Sequence, residues 1–440
     1  MLEDIAKAIR KENGRVFYVG GYVRDNLLGC TSKDIDVEVY NICPQRLLEI
    51  LSRFGRVDVM GKSFGIIRVN GLGVDFAMPR RERKVAAGHK GFEIGIDPFM
   101  SYEEACRRRD FTMNAILKDV LTGEIIDPFS GTIDIRNKVI RHIDDATFIE
   151  DPLRVYRAVQ FTGRLGFSIS SETIKLCSGI DLSSISRERV FDELLKLLLL
   201  SEKPSVGFEY MLEMGVIKKY FPLLYDLVGC PQSEIHHPEG DAWNHTMLVI
   251  DEAAKLREKS KSPDSFMLAA LLHDIGKPAT TKKKDGKIIS HGHAEVGEKL
   301  AFELLCKLTN DKRIIADTTN LVKNHMKPIS LYQPRTKDSA IRRFASKCDI
   351  HEVLLLHEAD YKGRAGDIDG FEKIKEWFQE KIVSLSLERK IEPLVKGRDL
   401  IRLGLEPGVH FGKILRQAFE MQLDGLKYED IMASIKKTYL

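Results

Sequence analysis

The chain has 440 residues, of which 43% are hydrophobic and 30% charged, a composition that excludes an intrinsically disordered protein and allows more than one globular core. Its formal net charge of +3 excludes a general polycation, so any nucleic-acid binding must come from local basic clusters. The seven cysteines form no C-x-x-C pair, which argues against a disulfide framework and a zinc knuckle. The longest apolar run, 194–200, is too short to span a bilayer, so the sequence predicts a cytoplasmic protein with no membrane contact.

Strand-like runs cluster in the first third of the chain, and helical patterns dominate after about residue 140. Strands are expected at 16–19, 35–40, 65–69, 74–77, 116–120 and 124–127. Helices are expected at 153–165, 188–200, 206–214 and 243–256. The polar, glycine-containing residues 79–104 predict a long mobile loop or lid. The expected fold class is therefore α+β, with a small head followed by an extended all-helical body.

The first strand-like run ends at two glycines, Gly20 and Gly21, and Arg24 follows. Two glycines permit a tight turn whose backbone N–H groups approach a phosphate closely, and the arginine would add positive charge. A plain glycine turn is the alternative that these residues leave open.

Two aspartates, Asp34 and Asp36, flank a single isoleucine at the second strand-like run. Because strand side chains alternate between faces, both carboxylates are expected on the same side. The two carboxylates of such a pair repel each other unless a cation lies between them. Two Mg²⁺ ions bound by such carboxylates suit a phosphoryl displacement. Asp75, in the run 74–77, is the candidate for a third catalytic carboxylate. Solvated aspartates are the alternative for all three.

An arginine-rich segment, 107–109, precedes the run DFTMNA. Consecutive arginines repel one another unless anions are close, and guanidinium groups bind phosphate oxygens through two parallel hydrogen bonds. Arg108 and Arg109 are therefore candidates for contacts with a triphosphate or RNA, and a solvated basic helix start is the alternative.

The segment Glu150-Asp151-Pro152-Leu153-Arg154 opens a predicted helix. Proline suits the first helical position, which makes Asp151 an N-cap candidate. A pure capping role is the alternative to any chemical role for Asp151.

Taken in order, these segments resemble the motifs of class II tRNA nucleotidyltransferases, the bacterial-type CCA-adding enzymes that are related to bacterial poly(A) polymerases. The resemblance spans roughly residues 15–225 and rests on VGGYVRDNLLG with DID, RRDFTMNA, DPFSGTIDI, EDPLRVYRAVQF with LGF, and RERVFDEL. It implies a polymerase β-like nucleotidyltransferase head, with tRNA, CTP and ATP as partners.

The resemblance also implies roles for individual residues. Asp34 and Asp36 would hold the catalytic Mg²⁺ ions, the RRD motif would contact ribose and phosphates, and the EDxxR motif would act as a protein template for the incoming base. The implied nucleotide-binding residues are Gly20, Gly21, Arg24, Arg108, Arg109, Asp110, Asn114, Glu150, Asp151, Arg154 and Arg157.

A template made of one aspartate and one arginine has a physical basis. Cytosine and adenine each present an amino donor beside a ring-nitrogen acceptor, which match a carboxylate and a guanidinium. Guanine and uracil reverse that polarity and would leave buried polar groups mismatched. Asp151 and Arg154 are three residues apart and are expected on one helix face, with Glu150 orienting Arg154 by an ion pair.

The helical half contains a series of histidines and carboxylates on separate predicted helices. Imidazole and carboxylate groups together suit a divalent transition metal or Mg²⁺. The series resembles the HD phosphohydrolase domain, which implies His245, His273, Asp274 and Asp360 as metal ligands. His293 and His325 match extra histidines that would permit a second metal, and His291 competes with His293 for that role.

Four domains are expected: a head at 1–138, a helical neck with the base template at 139–230, an HD domain at 231–365, and a helical tail at 366–440. The resemblance implies that the tail contacts tRNA, and a helical packing segment is the alternative. The function expected is template-independent addition of CCA to tRNA by two-metal nucleotidyl transfer. The HD domain would hydrolyse RNA-end or cyclic phosphates with a divalent metal of unspecified identity.

Several alternatives remain at this point: CC-only or A-only addition, a poly(A) polymerase, or an HD-type signalling-nucleotide hydrolase with a binding-only head. Against a poly(A) polymerase, the run 60–66 looks like the sequence of CCA-adding enzymes. The oligomeric state stays open.

Overall fold

A computed structural model describes residues 1–31, 35–60, 66–84, 92–364, 369–389 and 391–440, with side chains at all of these positions except 60, 81–84, 92–94 and 369. The chain forms two compact units, one of residues 1–197 with 209–216 and the other of residues 198–208 with 217–440. The four predicted domain ranges do not map one to one onto these units, and their boundaries stay predictions. No helix among the described residues combines the length and apolarity needed to cross a bilayer.

The first unit contains a mixed seven-stranded sheet of order β3-β4-β5-β2-β1-β8-β9, in which only the β2–β5 pair is parallel. Its strands are β1 Arg15–Val19, β2 Ile35–Tyr40, β3 Val57–Met60, β4 Ile66–Val69, β5 Val74–Ala77, β8 Leu117–Asp119 and β9 Ile125–Ile126. Two-stranded pairings join β6 Arg80–Lys84 to β7 Phe92–Ile96, and β10 Val139–Ile140 to β11 Ser168–Ile169.

The helices of the first unit surround this sheet and extend beyond it. They are α1 Leu2–Arg10, α2 Gly21–Leu27, α3 Pro44–Leu51, α4 Tyr102–Arg107, α5 Gly131–Asn137, α6 Asp145–Phe148, α7 Leu153–Leu165 and α8 Ser171–Ser178, with a 3₁₀ turn at Thr112–Asn114. Helices α9 Arg187–Leu200 and α10 Pro204–Glu213 cross the division between the units.

The α+β fold class is confirmed, and all six predicted strands form within one or two residues of their expected bounds. The predicted loop at 79–104 is wrong in its described parts, which contain β6, β7 and α4. The sequence of β6 is RRERK, so it lacks the apolar alternation that identifies a half-buried strand. Residues 85–91 of the predicted loop lie outside the described part of the chain.

Strand alternation divides the first unit into two hydrophobic clusters. Val37 and Val39 lie in the cluster that α1 and α3 cover, through residues such as Leu47. Phe17 and Tyr40 lie in the other cluster, which α4 covers. Because side chains alternate along a strand, the even-numbered residues of β2 share the face of Tyr40.

The second unit is mainly helical. Its helices are α11 Val216–Tyr220, α12 Pro222–Tyr225, α13 Ala242–Leu256, α14 Pro263–Leu272, α15 Lys277–Thr280, α16 His293–Leu308, α17 Lys312–Asn324, α18 Lys327–Leu331, α19 Asp338–Lys347, α20 Ile350–Lys362, α21 Asp369–Ser384, α22 Gly397–Arg402, α23 Phe411–Leu423 and α24 Tyr428–Tyr439. A hairpin of β12 Lys282–Lys284 and β13 Lys287–Ile289 interrupts them, as does a 3₁₀ turn at Arg257–Lys259.

Helix α14 is the centre of the second unit. Every residue from Ser265 to Leu272 is buried, and α13, α17 and α20 pack around it. After Asp264 the helix has no charged residue, so it can be enclosed on all sides without burying a charge. The last three helices have a small apolar core of their own, with Leu400, Ile414 and Ile431 at its centre.

Gly131, at the start of α5, lies against the backbone of the 3₁₀ turn. A Cβ atom there would lie 2.1 Å from the carbonyl oxygen of Thr112. Because both contact partners belong to the backbone, the clash could be relieved only by a backbone shift. We expect Gly131→Ala to destabilise the first unit by at least about 2 kcal/mol, measured as a lower unfolding midpoint in urea. Gly95→Ala is the control, because a Cβ at Gly95 meets no atom of the described side chains or backbone within 4 Å. Equal midpoints for the two variants would contradict the packing described for Gly131.

Candidate functional site

An acidic pair lies on one face of the head sheet. Asp36 of β2 and Asp75 of β5 are register partners in the parallel pair, so their side chains leave the same face at neighbouring positions, roughly 5 Å apart in the backbone. Arg68 of β4 donates to both carboxylate oxygens of Asp75, at 2.6 and 2.7 Å. The structure thus brings together two of the three predicted catalytic carboxylates. The third, Asp34, lies outside the described residues.

The predicted glycine turn lies beside an arginine of the RRD motif. Gly20 has φ 65° and ψ −134°, a conformation that favours glycine, and a Cβ there would meet Arg109 Nη1 at 3.4 Å. Arg109 donates to Glu38 Oε1 at 2.9 Å and to the carbonyl of Asn114 at 3.2 Å. Arg109 is therefore a fixed cation directly beneath the glycine turn.

The arginine segment is neutralised by the protein's own carboxylates. Arg107 pairs with Glu103 at 2.6 Å, and Arg108 lies 3.8 Å from Glu38. Glu38 shares the face of Asp36 on β2 and was not among the functional residues predicted from the sequence. Its position two residues after Asp36 was the signal that could have found it, because alternate residues share a face.

Four predicted nucleotide-binding residues form one buried chain of hydrogen bonds. Arg24 Nη1 donates to Asn114 Oδ1 at 2.8 Å, and Asn114 Nδ2 donates to Asp110 at 2.9 Å. Arg157 donates to Asp110 Oδ2 from two nitrogens, at 2.8 and 2.6 Å. Burial disfavours the charged form of Asp110, but Arg157 and the hydrogen bonds from Asn114 and Phe111 lower the pKa of its carboxyl below the usual range. The network joins α2, the 3₁₀ turn and α7.

An aromatic ring completes this network. The guanidinium groups of Arg24 and Arg157 lie 5.0 and 5.4 Å from the ring centre of Phe161. Arg24 also donates to Asp25 at 2.6 Å, so its charge is countered inside the protein. Phe161 was not predicted from the sequence, because an aromatic residue on a helix is ordinarily a core residue.

The predicted base template is only partly as expected. Helix α7 begins at Leu153, so Asp151 precedes the helix and accepts from the Leu153 N–H at 3.3 Å. Asp151 also lies 3.3 Å from Arg189, a partner not foreseen from the sequence. Arg154 donates to the carbonyls of Thr147 and Arg108, at 2.7 and 2.6 Å.

The expected ion pair between Glu150 and Arg154 is wrong. The guanidinium of Arg154 is directed to backbone carbonyls, and Glu150 is exposed to solvent. Burial lowers the pKa of Arg154 from its ordinary value, although Asp110 and Asp151 oppose that effect. Both template candidates are held at the start of α7, with hydrogen-bonding capacity still available on each.

All six predicted HD ligands converge in the second unit, from five places in the chain. His245 lies in α13, His273 and Asp274 follow α14, His293 begins α16, His325 follows α17 and Asp360 lies in α20. His245 Nε2 is 3.0 Å from Asp360 Oδ1, and His293 Nε2 is 3.1 Å from His325 Nε2. The competing candidate, His291, is exposed.

Asp274 lies between two groups of ligands. Its Oδ2 is 3.2 Å from His273 Nε2, and its Oδ1 is 3.4 Å from His293 Nε2. His245, His273 and Asp360 form one cluster, and Asp274, His293 and His325 form the other, each with ligand atoms within 4.8 Å of one another. One carboxylate can therefore serve both clusters.

The four histidines share one tautomer. Nδ1 lies 2.7–2.9 Å from the backbone carbonyl three residues earlier in His273, His293 and His325, and 2.8 Å from Glu239 Oε1 in His245. A carbonyl or an ionised carboxylate only accepts, so Nδ1 must carry the proton. Nε2 is therefore the atom that each ring turns toward the cluster, and in the neutral imidazole it is the atom that can bind a metal.

The charges in this centre also fit a divalent cation. Burial opposes ionisation of Asp274 and Asp360, yet His273 with Lys277, and Arg364 with His245, hold the pKa of these carboxyls well below the usual range. Burial lowers the pKa of His325 to about 3, whereas Asp360 and Glu239 raise the pKa of His245 despite its burial. Ionised carboxylates and neutral imidazoles are the forms that bind metals.

Two neighbouring buried atoms of the centre, His273 Nε2 and Asp274 Oδ2, lack a hydrogen-bond partner among the described residues. His273 Nε2 is close to Asp274 Oδ2, but the pair does not have hydrogen-bond geometry, and Nε2 has no other partner among the described residues. Buried polar atoms are almost always satisfied, so an orphaned imidazole nitrogen is what a ligand atom should show.

Three supporting residues were not predicted. Glu239 Oε1 accepts from both His237 and His245 at 2.8 Å. Its pKa is about 2, because hydrogen bonds from these histidines outweigh burial. Lys277 lies 2.5 Å from Asp274, and Arg364 donates to Asp360 at 2.8 Å. The i,i+3 and i,i+4 spacings of the last two pairs were available in the sequence, whereas Glu239 lies in a loop without such a signal.

Three family models match successive parts of the chain. Residues 16–141 match the family model for the poly A polymerase head domain, and residues 242–365 match that for the HD domain. Residues 166–227 match the model described as the probable RNA and SrmB-binding site of polymerase A.

Curated relatives align with most of the chain. A protein named "Multifunctional CCA protein" from Actinobacillus pleuropneumoniae serotype 5b is 35% identical over 369 residues, covering 80% of this chain and 86% of the relative. A protein of the same name from Methylobacillus flagellatus is 35% identical over 368 residues, with 80% and 85% coverage.

Solved structures share the fold. The CCA-adding enzyme of Bacillus stearothermophilus in complex with CTP superposes with a TM-score of 0.69 at 22% identity, covering 99% of this chain and 95% of that one. The Thermotoga maritima CCA-adding enzyme complexed with tRNA gives a TM-score of 0.61 at 21% identity, with 99% and 94% coverage. On the curated relatives and the matched family models, the chain belongs to the class II family of CCA-adding tRNA nucleotidyltransferases and poly(A) polymerases, and it contains an HD domain.

Proposed function

We propose that the head adds C, C and A to the 3′ end of tRNA from CTP and ATP, with Asp34, Asp36 and Asp75 as its catalytic carboxylates. The observation that carries this proposal is the register pairing of Asp36 with Asp75 on the sheet face that also presents Glu38 to Arg109. Full CCA addition is preferred to CC-only addition, A-only addition or poly(A) synthesis because the curated relatives are multifunctional CCA proteins.

In this proposal the chain's own residues position the substrates. Magnesium ions, when bound, would be held by Asp34 and Asp36 and would supply positive charge to the transferring phosphoryl group. Arg109 and the backbone at Gly20 and Gly21 bind the triphosphate, and the buried Arg24–Asp110 network keeps that surface rigid. Asp75 is held by Arg68, so it acts as an oriented carboxylate beside Asp36.

Base selection is assigned to the start of α7. Asp151 can accept from the amino group of cytosine or adenine, and Arg154 can donate to the ring nitrogen. Arg154 uses two of its five N–H donors on the carbonyls of Thr147 and Arg108, which fixes its plane and leaves the others for the base.

The first prediction concerns the acidic pair. Asp36→Ala removes a carboxylate from the reacting phosphate and is expected to lower the rate of CTP incorporation by at least about a thousandfold, while tRNA affinity changes little. Single-turnover incorporation and filter binding measure the two quantities. Asp4→Ala, an exposed aspartate on α1, is the control and should retain full activity. Incorporation by Asp36→Ala at the rate of that control would rule out the proposed site.

The second prediction separates base selection from helix capping. Asp151→Ala is expected to raise UTP incorporation relative to CTP by at least about tenfold, since the carboxylate no longer rejects the uracil carbonyl. Competition assays with both nucleotides give the ratio of the kcat/KM values. Asp311→Ala removes a comparable cap, the bond to the Ile314 N–H at the start of α17, and should leave this ratio unchanged. The same change of selectivity in both variants would mean that Asp151 acts only as a cap.

We further propose that the HD centre is a metal-dependent phosphohydrolase for cyclic or terminal phosphates. The donor set of His245, His273, Asp274, His293, His325 and Asp360 suits a divalent transition metal better than Mg²⁺, which prefers oxygen ligands. Such a metal, when bound, would activate water against a phosphoester. Glu239 orients His245, and Lys277 with Arg364 balance the carboxylate charge at the same centre.

The third prediction tests this centre. His273→Ala deletes an Nε2 ligand and is expected to lower metal content and to reduce hydrolysis of a 2′,3′-cyclic nucleotide by more than about a hundredfold. Metal analysis of the purified protein supplies a readout independent of activity. The control is His291→Ala, which removes a nearby exposed histidine outside the centre. Undiminished metal content and hydrolysis in His273→Ala would exclude the HD centre as the source.

A further inference from the structure

The β12–β13 hairpin contains a dense cluster of positively charged side chains. It carries Lys282, Lys283, Lys284 and Lys287 against the single acid Asp285, and all five side chains are exposed. Its net charge of +3 equals the formal net charge of the entire chain. Neither the proposed nucleotidyl transfer nor the metal centre makes use of these lysines.

The geometry of the hairpin holds these charges close together. Asp285 and Gly286 form its two-residue loop with φ of 51° and 76°, the positive values that a type I′ turn requires. Lys284 and Lys287 are therefore direct cross-strand partners. Like charges at such positions are destabilising, and none of the four lysines forms an ion pair with a carboxylate within the described ranges. An external anion would relieve this repulsion.

The base of the hairpin is joined to the HD centre. Thr281 and Ser290 hydrogen-bond through their hydroxyls at 2.7 Å and close the hairpin. The carbonyl of Ser290 accepts from Nδ1 of the ligand His293, also at 2.7 Å. Three residues per strand at roughly 3.3 Å each place the lysines within about 10 Å of that base along the hairpin. The folded hairpin thus holds its lysines at a defined position next to the HD centre.

We propose that this hairpin binds the sugar–phosphate backbone of RNA and directs the end of the strand into the HD centre, so that RNA ends are preferred to free nucleotides as substrates. The inference rests on the proposed phosphohydrolase function. Lysines are point charges that bind phosphates without reading bases, which suits RNA ends of any sequence. A membrane-binding arm would instead need exposed apolar residues, yet Ile288 and Ile289 are partly buried at the base and the tip is Asp-Gly.

Kinetics with two substrates test the proposal. The variant K282Q/K283Q/K284Q/K287Q should raise KM for a six-nucleotide RNA ending in a 2′,3′-cyclic phosphate by about tenfold or more, with KM for 2′,3′-cyclic AMP unchanged. It should also reduce the slope of log(kcat/KM) against log salt for the RNA by up to about 3, since each single-strand phosphate contact contributes about 0.7. The control K255Q/K259Q/K299Q/K307Q removes the same charge elsewhere in the second unit and should change neither value. Equal effects of the hairpin variant on both substrates would overturn the proposal.

Lysine footprinting gives a readout that does not need hydrolysis. The wild-type protein is labelled with an amine-reactive reagent with and without the same RNA, and with vesicles of anionic phospholipid. Salt-sensitive protection of Lys282–Lys287 by RNA supports the proposal, whereas protection only by vesicles, or none, overturns it. If the wild-type protein hydrolyses neither substrate, the proposed phosphohydrolase function fails, and footprinting still decides whether the hairpin binds RNA.

Discussion

The chemistry of both units depends on carboxylates that remain ionised while buried. A buried carboxylate without partners would lose several kcal/mol of solvation or take up a proton. Asp110 avoids this through Arg157 and Asn114, and Asp360 avoids it through Arg364 and His245. Because Arg157 and His245 come from distant segments of the chain, the electrostatic requirement also determines which segments meet.

In the head, this requirement produces a rigid basic surface. The arginines at 107–109 are stabilised by Glu103 and Glu38, so their charges are already in place before any nucleotide binds. Fixed donors stabilise developing charge better than mobile ones because they need no reorganisation during the reaction. The buried chain from Arg24 to Arg157 extends this rigidity to the start of α7, where the proposed base template lies.

The fold followed from the sequence wherever one face of an element is apolar. The residues of strands β1, β2 and β5 either alternate between apolar and polar or are apolar in succession. The helix predicted at 153–165 has the same bounds as α7. Strands β6 and β12 lack that pattern because their sequences, RRERK and KKK, contain no apolar residue. Their backbone pairing depends on turns and on neighbouring segments, which local periodicity does not record. Residues 61–65, most of the run that resembles CCA-adding enzymes rather than poly(A) polymerases, lie outside the described structure.

The sequence by itself determined the fold class, the order of the motifs and five of the six histidine and aspartate residues of the HD centre. Only the tertiary structure decided that His293 rather than His291 enters that centre, that Asp274 lies between two ligand clusters, and that Arg154 bonds to backbone carbonyls. It also placed Glu239 behind His245, a contact that no spacing in the sequence indicates. Spacing along a chain specifies which residues share a face, whereas the distances between helices arise from packing around α14 and the sheet.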